Sequence, residues 1–214
     1  MTMPNTTATQ TVVRGYARDL RDAVNRLPIE QIAAAVDLIA STLEQERAVF
    51  IVGNGGSATT AQHMAADLCA AWGALGRTGS VSCLNDNTAR WSALANDDGP
   101  DHAFAGQLRF LARRNDLLVT ISVSAESPNL VAASHAAQEI GLRTLSLGGR
   151  RGRVATMADV SVEVGDGDYG IAEDLHLCFN HCLARYLRGG PHRYWERAHN
   201  AGAEDATSCA ASSQ

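Results

Sequence analysis

His63 and Asp67 stand four residues apart in AQHMAADL, so on a helix an imidazole and a carboxylate share one face. Such a pair can pass a proton or supply two ligands to a metal ion. Just upstream, the stretch from Phe50 to Ala71 begins as an apolar run, crosses Gly53, Asn54, Gly55 and Gly56, and enters an Ala-rich pattern at Ser57. This order predicts a strand, a glycine turn and a helix N-terminus. Glycines let the backbone approach a ligand closely, Ser57 is placed to cap the helix and offer a hydroxyl, and the first-turn N–H groups face an anion. A phosphate suits that chemistry. GNGGSA has neither the G-x-G-x-x-G spacing of a dinucleotide fold nor the Lys-Ser/Thr of a P-loop, so a ligand other than NAD or ATP is implied.

A second loop, SVSAESPN, follows the apolar run LLVTI. Ser122, Ser124 and Ser127 supply three hydroxyls, and Ser127 with Pro128 forms an N-cap and N1 pair for the next helix. Neither loop contains Lys or Arg, so N–H dipoles and hydroxyls must meet the charge of a bound phosphate, which suits a small sugar phosphate better than a triphosphate. A late helix over Tyr169 to Leu187, wound at about 100° per residue, places Ile171, Leu175, Cys178, Cys182, Leu183 and Tyr186 on one apolar stripe. His176, Asn180, Glu173, His181 and Asp174 fall on the other side, a face with two imidazoles and two carboxylates. The position of Cys178 and Cys182 on the apolar stripe favours core packing over soft-metal ligation.

The elements that must position these groups alternate. Strands are expected at Ala48 to Val52, Gly79 to Leu84, Leu117 to Ser122, Leu142 to Leu147 and Asp159 to Val164. Helices are expected at Ser57 to Trp72, Thr88 to Asn96, His102 to Arg113 and Pro128 to Ile140. Short apolar strands alternating with helices predict an α/β fold, a parallel sheet covered on both faces, with ligands at the carboxyl ends of the strands. Both loops fall on that edge. Two amphipathic helices, Arg14 to Arg26 and one entered by Pro28, precede the first strand and are spare to the α/β pattern, which predicts self-association. Residues 1–12 read as a flexible arm, 13–199 as one domain and 200–214 as a disordered tail.

A chain of 214 residues is long enough for one well-cored domain. A net charge of −5 without a basic stripe argues against nucleic acid. There is no membrane-length apolar run and no basic leader followed by an apolar segment, so a cytoplasmic protein is expected. Five cysteines without C-x-x-C spacing suit a reducing compartment as free thiols.

Taken together, GNGGSA, AQHMAADL, LANDDG, SVSAESPN and EDLHLCFNH, in that order, resemble the phosphoheptose isomerases of the sugar isomerase (SIS) superfamily, over roughly residues 15 to 188. The resemblance implies a three-layer α/β sandwich, a five-stranded parallel sheet flanked by helices, with extra N-terminal helices. It implies a ketose-aldose isomerase acting on sedoheptulose 7-phosphate through an enediol. By resemblance, Asn54, Gly55 and Ser57, with Ser122, Ser124 and Ser127, hold the phosphate; Asn96, Asp97 and Glu173 face the substrate; and Asp67 and His181 move the proton between C1 and C2. Zinc is an implied cofactor, with His63, Asp67, Glu173 and His181 as ligands, and a homotetramer is the implied assembly. Aldose-ketose interchange needs groups of this kind: one to take a proton α to a carbonyl, one to return it, and a positive charge at the enediolate oxygen. The chain departs from the family pattern at Asp67, where the family has Glu, at Ala125 and Glu126, where it has Gly and Asn, and at Glu173, where it has Gln. The alternatives are an isomerase of another phosphosugar and a non-catalytic SIS module that binds a sugar phosphate or a protein.

Overall fold

The computed structural model describes residues 6–189. Thirteen regular elements run in the order α1 (Thr6–Val24), α2 (Ile29–Glu44), β1 (Val49–Gly53), α3 (Gly56–Gly73), β2 (Val81–Cys83), α4 (Thr88–Asp97), α5 (Ala103–Leu111), β3 (Leu117–Ser122), α6 (Pro128–Ile140), β4 (Arg143–Gly148), α7 (Arg153–Met157), β5 (Val160–Glu163) and α8 (Tyr169–Leu187). Single 3₁₀ turns lie at Pro100–His102 and Gly165–Gly167.

The five strands form one sheet in the order β2-β1-β3-β4-β5, every pair parallel. β1 and β3 lie in register, with Val49 opposite Leu117 and Gly53 opposite Ile121. The chain leaves β1 towards β2 on one side and returns to β3 on the other, so a crevice opens between the carboxyl ends of β1 and β3. The two candidate phosphate loops follow these two strands.

Alternation along the strands divides the core in two. Val49, Ile51, Leu117, Val119, Ile121, Leu145, Leu147 and Val162 face one layer, made by α2, α3 and α8 with the end of α1. Phe50, Val52 and Leu118 face the other, made largely by α5, α6 and α7. The result is the expected three-layer α/β sandwich with a five-stranded parallel sheet. Among the described residues no helix is long and apolar enough to cross a membrane.

Several expectations need correction. α1 begins at Thr6 rather than Arg14, so residues 6–12 belong to a helix and not to an arm: nothing in TTATQTV breaks a helix, and the amphipathic turns that follow propagate into it. Residues 1–5, the segment from 190 and the tail at 200–214 lie outside the described residues, as does Cys209. α7 was not expected; it is a five-residue turn of helix in a stretch too short to show a period. On α8 the bounds match, but the buried face is turned from the expected one. Ala172, His176, Phe179, Asn180 and Leu183 are buried together with Ile171 and Leu175, whereas Cys182 and Tyr186 are exposed and Cys178 is half-buried. Neighbours, not side-chain polarity, set that face, because α8 packs on α3 and shares one core with the inner side chains of the sheet. Core packing is thus not the role of Cys182; the neighbouring Cys178 thiol hydrogen-bonds to it and holds its own thiol below the usual range. Cys69, Cys83, Cys178 and Cys182 are all free, as expected.

Candidate active site

The first loop is a backbone structure. Gly55 takes φ +54°, the left-handed region that glycine favours, and serves as N-cap of α3 with no side-chain cap bond. Ser57, expected to cap, instead lies inside the first turn and is buried. Gly53 packs so closely on the next turn that a Cβ there would stand 2.5 Å from the Ser57 carbonyl oxygen. Asn85, just past β2, fastens Gly53 from the side: its Oδ1 accepts the Gly53 N–H at 3.3 Å and its Nδ2 donates to the Gly53 carbonyl at 2.9 Å. An open cleft of about 410 Å³ lies beside the turn, lined by Asn54, Gly55, Ala58, Asn85, Thr88, Trp91 and Phe104.

The second loop faces it across the crevice. Ser122 Oγ accepts the Ala125 N–H at 3.1 Å and Ser124 Oγ accepts the Glu126 N–H at 3.3 Å. Ala125 holds φ +53° where the family pattern has glycine, a conformation that costs an L-residue about 1–2 kcal/mol. Ser127 is the N-cap residue of α6 as expected, although its hydroxyl makes no cap bond. The loops are tied by a reciprocal amide pair, in which Asn54 donates to Asn129 at 3.0 Å and Asn129 donates to Asn54 at 2.9 Å. Glu126 does not load the crevice with unpaired charge. Its carboxylate accepts from the Arg153 N–H at 2.9 Å and from Arg153 Nε at 2.7 Å, and this guanidinium holds its pKa below the ordinary carboxylate range.

A second group of side chains gathers at the seam between α3 and α8. One ligand atom from each of His63, Asp67 and His181 lies within 4.8 Å of the others. His63 Nε2 is 3.4 Å from Asp67 Oδ2, and the His63 and His181 rings meet edge to face with centroids 5.4 Å apart. Asn180 Nδ2 donates to Asp67 Oδ2 at 2.8 Å. Both imidazoles are exposed and Asp67 is half-buried, so the cluster is open to solvent on one side. Two nitrogens and one carboxylate oxygen with an open side are the donor set of a catalytic zinc centre, so the residues present fit that ion.

Glu173 is not part of the cluster. Two turns of a continuous helix set it about 12 Å from His181 along the axis, and its carboxylate instead abuts Gly56, where the missing Cβ leaves it room. The four-ligand set is therefore corrected to three, with Glu173 at the rim of the first loop. Asn96 and Asp97 lie exposed in the last turn of α4, bonded to each other at 2.9 Å, and do not line the cleft that Thr88 and Trp91 of the same helix do. Asn85, Asn129, Arg153 and Asn180 were missed as contributors. Asn129 closes the quoted SVSAESPN motif and Asn180 stands beside His181, but nothing in the sequence shows what either would meet.

Below the cluster, one turn before Asn180, His176 is buried with neither ring nitrogen hydrogen-bonded. Burial drives its pKa down to about 4, opposed by a weaker pull from the Gly148 backbone that falls short of a hydrogen bond.

The SIS domain family matches residues 14–149 of this chain. The phosphoheptose isomerase of Helicobacter pylori (strain P12) is 36% identical over 156 residues, which are 72% of this chain and 81% of that protein. The phosphoheptose isomerase of Campylobacter concisus is 32% identical over 174 residues, 81% of this chain and 91% of that protein. Among solved structures, phosphoheptose isomerase GmhA from Neisseria gonorrhoeae superposes with a TM-score of 0.77 at 29% identity, covering 85% of this chain and 99% of that one.

Proposed function

The chain belongs to the SIS domain family and, within it, to the phosphoheptose isomerases, and from that premise we propose that it interconverts sedoheptulose 7-phosphate and a D-glycero-D-heptose 7-phosphate at the crevice and seam described above. The observation that carries this reading is the meeting of Asp67 and His181. They come from helices far apart in the sequence, yet form one cluster with His63.

In this reading the N–H groups and hydroxyls of the two loops, with Asn54, Gly55, Ser57, Ser122, Ser124 and Ser127, hold the phosphate. Asp67 and His181 divide the proton work: one takes the proton from C1 of the ketose, giving an enediol, and the same proton or one from solvent is returned at C2. His63, Asp67 and His181 would hold zinc, which when bound supplies a Lewis acid for the carbonyl oxygen. Glu173, beside Gly56, is assigned to the sugar hydroxyls, whereas Asn96 and Asp97, outside the cleft, are not. A homotetramer is the proposed assembly, supported by the outward apolar side chains of α1, where Val12 is 71% and Val13 61% exposed. A reducing, cytoplasmic setting suits the four free thiols among the described residues.

The test is incubation with sedoheptulose 7-phosphate in deuterated water, followed by proton NMR, with added zinc and with a chelator. An aldose anomeric signal carrying deuterium at C2 is expected, stronger with zinc. Folded protein that gives no exchange under either condition would convert the reading to a sugar-phosphate-binding module.

A further inference from the structure

We propose that Asn180 is the positioning residue of Asp67, and that the two act as one unit in place of a longer carboxylate; this rests on the proposed role of Asp67. Asn180 is fully buried, with a relative exposure of 0%. Its Nδ2 donates to Asp67 Oδ2 at 2.8 Å, and an ionised carboxylate offers acceptors only, so the orientation of the amide is fixed. Its own Oδ1, equally buried, has no partner. Leaving an amide oxygen unpaired in the core is costly, and an apolar side chain of the same size would serve packing better. What Asn180 provides in return is one donor, aimed at the carboxylate of the cluster.

The geometry gives that donor a task. Asp67 is one methylene shorter than the Glu of the family pattern, so its carboxylate stays about 1.5 Å nearer to α3. Asn180 lies on the inward face of α8, at the depth where the retracted group ends. The same oxygen, Oδ2, is held by Asn180 and faces His63 Nε2 at 3.4 Å, which anchors the carboxylate through one oxygen and leaves Oδ1 to substrate or metal. Partners of this kind orient a ligand without touching the ion, and their loss commonly weakens metal affinity or activity about 10- to 100-fold.

The experiment combines Asn180→Leu with Asp67→Ala in a double-mutant cycle, read by zinc affinity in competition with a chromophoric chelator and by kcat and KM for sedoheptulose 7-phosphate. Asn180→Leu is expected to weaken zinc binding and lower kcat by about 10- to 100-fold each, with KM nearly unchanged and the thermal midpoint not lowered. In the Asp67→Ala background the same substitution should leave zinc affinity where it was, because its only route is through Asp67. Asn180→Ser, which keeps the site polar and adds no bulk, should show the same losses if the leucine variant does not fold. Wild-type kcat and zinc affinity in folded Asn180→Leu, or an equal loss in both backgrounds, would overturn the inference. If Asp67→Ala alone changes neither zinc affinity nor turnover, the proposed role of Asp67 fails, and this inference with it.

Discussion

The sheet edge and the helix seam each gather polar groups in a small space, and they do so by opposite means. At the edge, residues 53–57 and 122–127 are contiguous segments whose backbone does the work, with glycine at φ +54°, serine oxygens turned onto their own loop and a pair of asparagines across the gap. At the seam, side chains from α3 and α8 meet only because two helices pack on one face of the sheet. A site made of backbone is sensitive to anything that moves the chain and indifferent to many side-chain changes. A site made of side chains reverses that pattern.

The largest expected effect tests the seam. His181→Ala and Asp67→Asn should each lower turnover by about 10²- to 10⁴-fold, the usual worth of a general acid or base, while the thermal midpoint stays close to wild type because His181 is exposed and Asp67 only half-buried. A large fall in midpoint in either variant would mean that the seam holds the fold as well as the chemistry.

Acid should separate the regions next. The folded pKa of His176, about 4, lies below its ordinary value of 6.5, so the unfolded chain takes up a proton first as pH falls. The His176 contribution to stability is then constant above pH 6.5 and declines between 6.5 and about 4, by up to about 3 kcal/mol. Denaturant titrations across this range should show the decline in wild type and not in His176→Phe. Glu126 at the edge also has a lowered pKa, so its contribution is present above the ordinary carboxylate range and is lost only at lower pH. A decline of the same size in His176→Phe as in wild type would remove the distinction.

Gly53→Ala then probes the edge. Its Cβ would meet backbone atoms of Ser57 at 2.5 and 2.6 Å, and overpacking of this sort costs about 1–3 kcal/mol, measurable as a lower denaturant midpoint. An unchanged midpoint would show that the first loop yields more easily than its packing indicates.

The smallest effect belongs to Glu126→Gln. Removing this charge frees Arg153 near the second loop, so KM for the sugar phosphate should fall slightly at low salt, and the gain should fade as salt rises. A higher KM would mean that the ion pair shapes the loop.

The same contrast explains what was legible in the sequence. The edge could be read almost residue by residue, since strand, turn and helix start are local signals, and β3, α6 and α8 fall where their residues place them. Short-range reading failed where burial depends on a distant partner. His176 and Asn180 look like members of a solvated polar face until α3 and the sheet are laid against them. Arg153 completes the second loop from a helix that no period announces. Glu173 and His181 share a motif, but a continuous helix holds them apart, and the other two members of the cluster with His181, His63 and Asp67, come from α3. Ser57 has the residue type of a cap, yet Gly55 takes that place because the turn needs a left-handed residue two positions earlier.

The bond between Asn180 and Asp67 joins residues 113 positions apart in the chain, and α8 is the last described element to be made. A growing chain therefore completes β1, α3, β3 and α6, with the two loops of the sheet edge, well before it has anything from α8 to place beside Asp67. Closing so long a loop carries an entropic cost that packing of α8 must offset in one late step. Turnover in this chain consequently reports the end of folding rather than its progress: only the chain carried through that helix brings His181 beside His63 and Asp67.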